Sequence, residues 1–331
     1  MPEFRQDPIT GRCIIIAADR SKRPRHYNDQ AELAYSLGCP FCEGNEHMTP
    51  PEIYAQREAQ SVKDKPGWRV RAVPNKYPAL TDYGRWSAPD GSIYGTSAAV
   101  GIHEVIIEVP RHIANIGVLT QDQFINILLA YQARLNTLRK DPRWRCLLIY
   151  KNQGEAAGAT LEHVHSQLIA LPFVPKEVSA EITGVNRHYR STGACFYCMM
   201  SRTEGDSETR LVSSTERFVA HCPFAPRFPY ETWILPKHHS ASFESISNED
   251  IFDLARALRN VIMKLNGALQ NPAFNYFIHS LPQDSAEHQY HWHIEILPQI
   301  AKAAGLEWGS GIHLNSVSPE DAARLLRETP P

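Results

Sequence analysis

A surplus of either charge is missing from this chain: 34 Lys and Arg stand against 36 Asp and Glu, for a net charge of -2. Such a balance gives no general attraction to nucleic acid or to an anionic membrane surface, so any phosphate must be held by local groups. Long apolar runs are also missing. No stretch approaches the ~18 apolar residues of a bilayer span, and residues 1–11 lack the apolar run of a signal peptide. The expectation is a soluble cytoplasmic protein with neither nucleic acid nor membrane as partner. No Walker loop or dinucleotide fingerprint occurs. Seven cysteines, an odd number, argue against a disulfide framework.

What is present is an ordinary globular mixture, 43% hydrophobic and 21% charged. At 331 residues it has room for one large domain or two. Two is the better reading, because the chain repeats itself. Cys39-Pro-Phe-Cys42 is answered by Cys195-Phe-Tyr-Cys198, and HEVIIEVPRH (103–112) by YETWILPKHH (230–239). A helix pattern follows in each half, 120–135 and 247–265, with Thr120 and Ser247 as N-caps. An apolar strand comes next (146–150 and 275–280), then a His-rich strand, HVHSQLIAL (163–171) or HWHIEILPQ (291–299). His112 lies 51 residues before His163, and His239 lies 52 before His291. The spacing predicts an α+β fold of two tandem units, 1–172 and 173–331, each an antiparallel sheet with a main helix. Strand periodicity lapses over 172–194, where Pro172 and Pro175 mark the break.

Each half also offers a metal site. A C-x-x-C knuckle with two histidines is a four-ligand set suited to zinc. The sets are Cys39, Cys42, His112 and His163, and Cys195, Cys198, His239 and His291. In the second set His238 and His293 compete for membership, and iron is the alternative metal. With four protein ligands each site should be closed and structural. Cys13, Cys146 and Cys222 remain, and read as buried small hydrophobes.

The chemistry concentrates in YKNQGEAAGATLEHVHSQLIAL (150–171). Strand alternation puts His163, His165 and Gln167 on one face and Val164, Ser166 and Leu168 on the other. A metal-bound His163 would hold His165 rigid, as a nucleophile requires. A neutral imidazole can attack phosphorus and leaves well once protonated. In the preceding loop, Gly154 and Gly158 allow close backbone approach, so that its N–H groups could cradle phosphate. Asn152, Thr160, Ser166 and Gln167 are the side-chain donors expected for the same oxygens.

HVHSQ resembles the H-x-H-x-Q strand of the histidine triad superfamily in its transferase branch; the hydrolase branch has a third His at the position of Gln167. The wider resemblance is to galactose-1-phosphate uridylyltransferases and the related plant-type ADP-glucose phosphorylases. FRQDPITGRCIIIAADRSKRP (4–24) is similar to their N-terminal strand and R-x-K-R-P motif, CPFCEGNE (39–46) to their first zinc knuckle, and RAVPNKYPAL (71–80) to their nucleotide-contacting segment. The resemblance implies that His165 becomes nucleotidylated, that Gln167 stabilises this intermediate and that His163 binds zinc. It implies that Arg20 and Arg23 meet phosphates and that Asn75, Asn152 and Thr160 bind the nucleotide. It also implies a two-step exchange between nucleotide sugar and sugar phosphate, by a homodimer. The C-terminal EWGSGIHLNSVSPEDAARLLRE (307–328) is nearer to the ADP-glucose phosphorylase branch, leaving base and sugar open.

Two other readings are weighed. HWHIEILPQ could be a second active site with His293 in the place of His165, but Glu295 replaces Gln167 and would repel phosphate. Glu104 and Glu231, at matching repeat positions, read as structural partners of neighbouring strands, and Phe41 and Tyr77 as core residues that could stack a base. The expected function is exchange of NMP between a UDP-glucose-type donor and a hexose 1-phosphate. The alternatives are phosphorolysis of ADP-glucose or a dinucleoside polyphosphate, and a non-catalytic nucleotide-binding module.

Overall fold

The structure is a computed structural model that describes the backbone of residues 3–6 and 13–16 and then residues 38–88, 91–301, 305–310, 313 and 315–331. Arg20 and Arg23 lie outside the described residues, as does the Cys13 side chain.

Ten strands form one antiparallel sheet. In chain order they are β3 (Tyr54–Arg57), β4 (Trp68–Pro74), β6 (Ile102–Ile107), β7 (Cys146–Gln153), β8 (His165–Leu171), β9 (Leu211–Ser214), β10 (Phe218–His221), β11 (Thr232–Pro236), β12 (Phe274–His279) and β13 (His293–Pro298). The spatial order is β3-β4-β6-β8-β7-β12-β13-β11-β10-β9. A separate small sheet orders β2 (Cys13–Ile16), β1 (Glu3–Gln6) and β5 (Thr96–Ala98). The fold is thus α+β as expected, but the two halves share one sheet instead of each building its own. Their strands meet where β7 pairs antiparallel with β12, Tyr150 opposite Phe277 and Asn152 opposite Asn275.

One face of the sheet is covered by the two main helices, α1 (Gln121–Leu138) and α4 (Asn248–Leu269). Both start where the sequence indicates. Thr120 accepts from the Gln123 N–H in a reciprocal capping box, and Ser247 accepts from that of Asp250. Their apolar stripes, with Phe124, Leu128 and Tyr131 from α1 and Leu254, Leu258 and Ile262 from α4, join one core with Ile106, Leu168, Ile149, Ile278 and Ile294 of the strands. Burial of this kind is what stabilises helices too short to persist alone. The opposite face carries both C-x-x-C segments with smaller apolar clusters around Phe41, Val105 and Ile107, and around Tyr197, Val219 and Leu235.

Residues 172–194, where strand periodicity lapses, hold helix α2 (Lys176–Thr192), closed by Gly193 in the left-handed conformation. It is followed by α3 (Phe196–Ser207), α5 (Gly305–Ser310) and α6 (Pro319–Glu328). Among the described residues no helix is long and apolar enough to cross a membrane. Cys146 and Cys222 are buried apolar residues as expected, and burial raises both thiols to about 12.

Candidate active site and metal centres

Strand β8 sits between β6 and β7, held in antiparallel register with Ile107 opposite His165 and both Val105 and Tyr150 opposite Gln167. His165 and Gln167 are each 3% exposed, on the face away from the main helices. The His165 ring is fixed from behind: its Nδ1–H donates to the His163 carbonyl at 2.7 Å. The proton is thereby assigned to Nδ1, and the lone pair to Nε2. Phe41 stands edge-on to this ring at 5.1 Å. Beside it opens a cleft lined by Phe41, Asn75, Tyr77, Val105, Leu161 and His165. Phe41 therefore belongs both to a core cluster and to the cleft wall.

The loop before β8 turns through a short 3-10 segment, Glu155–Ala157. The amides of Ala157 and Ala159 donate to the Gly154 carbonyl, and that of Gly158 to Glu155. These three N–H groups are consumed within the turn, which corrects the picture of a backbone cradle formed by them. The side chains remain. Asn152 uses its carbonyl oxygen to accept from Asn275 at 2.8 Å, which leaves its amide nitrogen on the side of Gly158. The Thr160 hydroxyl is buried with no partner among the described residues, a donor of the kind a bound phosphate would satisfy. Asn75 closes its own turn by accepting from the Tyr77 N–H at 2.9 Å and brings Nδ2 to 3.1 Å from His103 Nε2 and 3.5 Å from Gln167 Oε1.

Ser166 does not join the site. It follows strand alternation to the helix side, fully buried, where its hydroxyl donates to Glu108 and meets that of Tyr131. There Glu108 also accepts from Tyr131 at 2.9 Å and pairs with Lys151 at 2.6 Å. The Lys151 ammonium donates further to the His165 carbonyl at 3.1 Å. Burial pushes the Lys151 pKa down, against the pull of Glu108.

Both Cys/His sets are assembled, and each brings one atom per residue within 4.8 Å of the others. In the first, Cys39 and Cys42 Sγ each lie 3.6 Å from His163 Nδ1, and Cys42 Sγ lies 3.6 Å from His112 Nδ1. In the second, Cys198 Sγ lies 3.4 Å from His239 Nδ1 and 3.5 Å from His291 Nδ1. A tetrahedral ion with metal–sulfur bonds of ~2.3 Å and metal–nitrogen bonds of ~2.0–2.1 Å sets this edge at about 3.5 Å. The far nitrogens also fit. His163 Nε2 donates to Val109 O at 2.8 Å, His239 Nε2 to Glu287 O at 3.0 Å and His291 Nε2 to Pro236 O at 3.1 Å. Each of these three rings thus turns an unprotonated Nδ1 to the sulfurs, the outer-sphere arrangement of metal-binding histidine. His239, not His238, completes the second set; His238 lies 3.5 Å from Asp250. In each knuckle one thiol is favoured as thiolate. Cys39 and Cys195 are both lowered to about 3, mainly by the hydrogen bond from the second thiol, whose own pKa is raised.

His293 belongs to a third group with Glu181, His279 and Glu295. His279 Nδ1 meets Glu181 at 2.9 Å, Tyr290 donates to Glu181 at 3.0 Å, and His293 Nε2 meets Glu295 at 3.3 Å, with Arg227 on the second Glu295 oxygen. Burial would lower the His293 pKa, but Glu295 and Glu181 raise it on balance. Both nitrogens of this ring face acceptors, Nδ1 the His291 carbonyl at 3.1 Å and Nε2 Glu295 at 3.3 Å, so neither is presented to a substrate, a stronger argument against a second active site than phosphate repulsion alone. Glu104 and Glu231 are structural, as expected: Arg134 holds Glu104 with two bonds, at 2.9 and 2.7 Å, and Arg227 and Trp233 hold Glu231.

The sequence reading missed His103 and Tyr150, which contact Gln167 at 2.8 and 3.0 Å. Strand alternation places His103 on the face of Val105 and Ile107, but only the inter-strand register brings it to Gln167.

The family described as galactose-1-phosphate uridyl transferase, N-terminal domain, matches residues 1–175, and a domain of unknown function (DUF4921) matches residues 104–328. ADP-glucose phosphorylase of Arabidopsis thaliana is 33% identical over 99% of this chain and 93% of its own length. Galactose-1-phosphate uridylyltransferase of Thermotoga maritima is 28% identical over 99% of each chain. The crystal structure of an Arabidopsis thaliana ADP-glucose phosphorylase with bound ADP-glucose superimposes with a TM-score of 0.78, covering 99% of both chains at 33% identity. With the family match spanning the half that carries His165 and relatives aligned along nearly the whole length, this chain belongs to the galactose-1-phosphate uridyl transferase family.

Proposed function

We propose that this protein is a nucleotidyltransferase that exchanges an NMP group through a covalent intermediate on His165. The observation that carries the reading is the 2.7 Å bond from His165 Nδ1 to the His163 carbonyl, which leaves Nε2 as the nucleophilic nitrogen of a ring that lines the cleft. In the first step the Nε2 lone pair attacks the α-phosphorus of a nucleoside diphosphate sugar. A P–N bond forms, the P–O bond to the sugar 1-phosphate breaks, and its electron pair leaves with that oxygen. The proton stays on Nδ1 and keeps donating to the His163 carbonyl, whose dipole stabilises the cationic ring. In the second step an oxygen of an acceptor phosphate attacks the same phosphorus, and the P–N electron pair returns to Nε2. Gln167, Asn152 and Thr160 supply donors to the equatorial oxygens, where charge develops. Arg20 and Arg23 are proposed as the phosphate-binding cations, on sequence resemblance alone.

Two donor–acceptor pairs suit this chemistry: ADP-glucose with free phosphate, and UDP-glucose with a hexose 1-phosphate. The greater identity to the phosphorylase relative favours the first. Phosphate-dependent release of ADP and glucose 1-phosphate from ADP-glucose supports it. A strict requirement for hexose phosphate, with UDP-glucose as donor, replaces it by the second. Exchange with neither donor, or normal turnover by His165→Ala, overturns the nucleotidyl transfer itself.

We further propose zinc in both Cys₂His₂ sites, since two thiolates and two imidazoles at tetrahedral spacing suit that ion. With four protein ligands it would supply folding energy, on the order of 10–16 kcal/mol per site in apparent binding, and not an activated water. The first site would fix His163, and through its carbonyl the ring of His165. We also propose two tandem histidine-triad-like units, 1–172 and 173–331, joined through the β7–β12 pair, and a cytoplasmic homodimer testable by light scattering.

A further inference from the structure

We propose that His103 is a positioning residue that decides which end of the Gln167 amide faces the reacting phosphoryl group, an inference that rests on the nucleotidyl transfer proposed above. The two ends of a glutamine amide are nearly equal in size and opposite in function: the NH₂ donates and the oxygen only accepts. Beside His165 only the NH₂ helps, because an amide oxygen turned toward phosphoryl oxygens would repel them. Something must therefore fix the orientation, and β8 cannot do so alone.

The fixing groups come from three other segments. The Ala79 N–H donates to His103 Nδ1 at 3.1 Å. A ring nitrogen that accepts has no proton, so the neutral ring carries its proton on Nε2. That Nε2 lies 2.8 Å from Gln167 Oε1 and donates to it. Tyr150, opposite Gln167 on β7, donates to the same oxygen at 3.0 Å. The Asn75 amide, its oxygen held by the Tyr77 N–H, brings Nδ2 to 3.1 Å from His103 Nε2 and 3.5 Å from Gln167 Oε1; because Ala79 already occupies Nδ1, the Nε2 proton is directed to the nearer acceptor, Gln167 Oε1. His103 is 4% exposed and Gln167 3%, so water does not substitute easily for these donors. The strand register supplies the direction. His165 stands opposite Ile107 and His103 opposite Ile169, so His103 lies beyond Gln167 on the side away from His165. Drawing Oε1 toward His103 turns Nε2 back toward the nucleophile.

The test is a double-substitution cycle on the single-turnover rate of nucleotidylation, using whichever of ADP-glucose and UDP-glucose labels the wild-type protein. His103→Phe should slow labelling by about tenfold to a hundredfold, less than or equal to the effect of removing a transition-state donor outright. Gln167→Ala should slow it at least as much. The signature lies in the combination: in the Gln167→Ala background, His103→Phe should cost no more than about twofold, because a residue acting only through Gln167 has nothing left to act on. His103→Asn, which keeps an N–H donor, should recover part of the rate, and donor affinity should change little. If His103→Phe does not fold, Tyr150→Phe removes one donor with the ring intact and should show the same non-additivity at smaller amplitude. Additive losses, or a His103→Phe variant as fast as wild type, overturn this inference and leave the nucleotidyl transfer standing. A wild-type protein that neither donor labels overturns both.

Discussion

Replacing Lys151 by methionine keeps the length of the side chain and removes its charge from a fully buried pair. Lys151 and Glu108 are at most 1% exposed and 2.6 Å apart. The substitution leaves Glu108 as a buried carboxylate with two hydroxyl donors, Tyr131 and Ser166, and no cation. Breaking a buried pair from one side costs about 3–5 kcal/mol, and the hydroxyls should hold this case near ~3. Against a total stability of ~5–15 kcal/mol that is a large fraction. Adding Glu108→Leu removes the stranded charge and should restore most of the loss, because exchange of a whole buried pair for apolar groups is often neutral. Tyr131 and Tyr276 keep each other as hydroxyl partners at 2.6 Å. Urea melts of the metal-loaded protein, compared by linear extrapolation, give both differences. A single substitution costing under ~1 kcal/mol, or a double variant less stable than the single, would contradict the ion-pair reasoning. The same variant withdraws a donor from the His165 carbonyl, so slower nucleotidylation should accompany the lost stability.

Gly154 has φ 83° and ψ 154°, a region only glycine occupies comfortably, and an added Cβ would come 2.7 Å from Ala273. Gly154→Ala should lose about 1–3 kcal/mol, whereas Gly158→Asn, at φ 82° and ψ 14°, should be nearly neutral in urea melts. Burial alone would raise the Glu181 carboxyl, but His279, His293 and Tyr290 bring it from 4.5 to about 2. Its contribution is therefore complete above pH 4.5 and disappears as pH falls through 2. Glu181→Gln should cost up to about 3 kcal/mol at pH 7, and melts at successive pH values should show the gap to wild type narrowing below pH 4.5; a constant gap would refute the ion-pair origin. Elemental analysis should find two zinc ions per chain and one after Cys195→Ser. Cys39→Ser should lose the other zinc together with nucleotidylation, since that site adjoins His165 through His163.

Much of this was legible because the chain states it twice. The matched C-x-x-C and Pro-basic-His segments pointed to both candidate Cys/His sets, and the structure added that neither His238 nor His293 joins the second. Strand alternation placed His163, His165 and Gln167 together and, followed consistently, would have excluded Ser166. What alternation cannot supply is register between strands, so His103 and Tyr150 escaped notice, as did the approach of Asn275 to Asn152 from the second half. The single sheet was hidden for the same reason: whether two edge strands, β7 and β12, stay apart or pair leaves no periodic mark in either. The loop amides were misjudged because a Gly-Ala run does not say whether its N–H groups face a ligand or close their own turn.

Covalent capture tests the central claim most directly. Intact-protein mass spectrometry after mixing with ADP-glucose or UDP-glucose separately, without acceptor, should show a gain of one AMP or one UMP. That gain should vanish in His165→Ala, and added phosphate or hexose phosphate should reverse it in the wild type. No gain with either donor, or an undiminished gain in His165→Ala, would contradict a nucleotidyl-His165 intermediate.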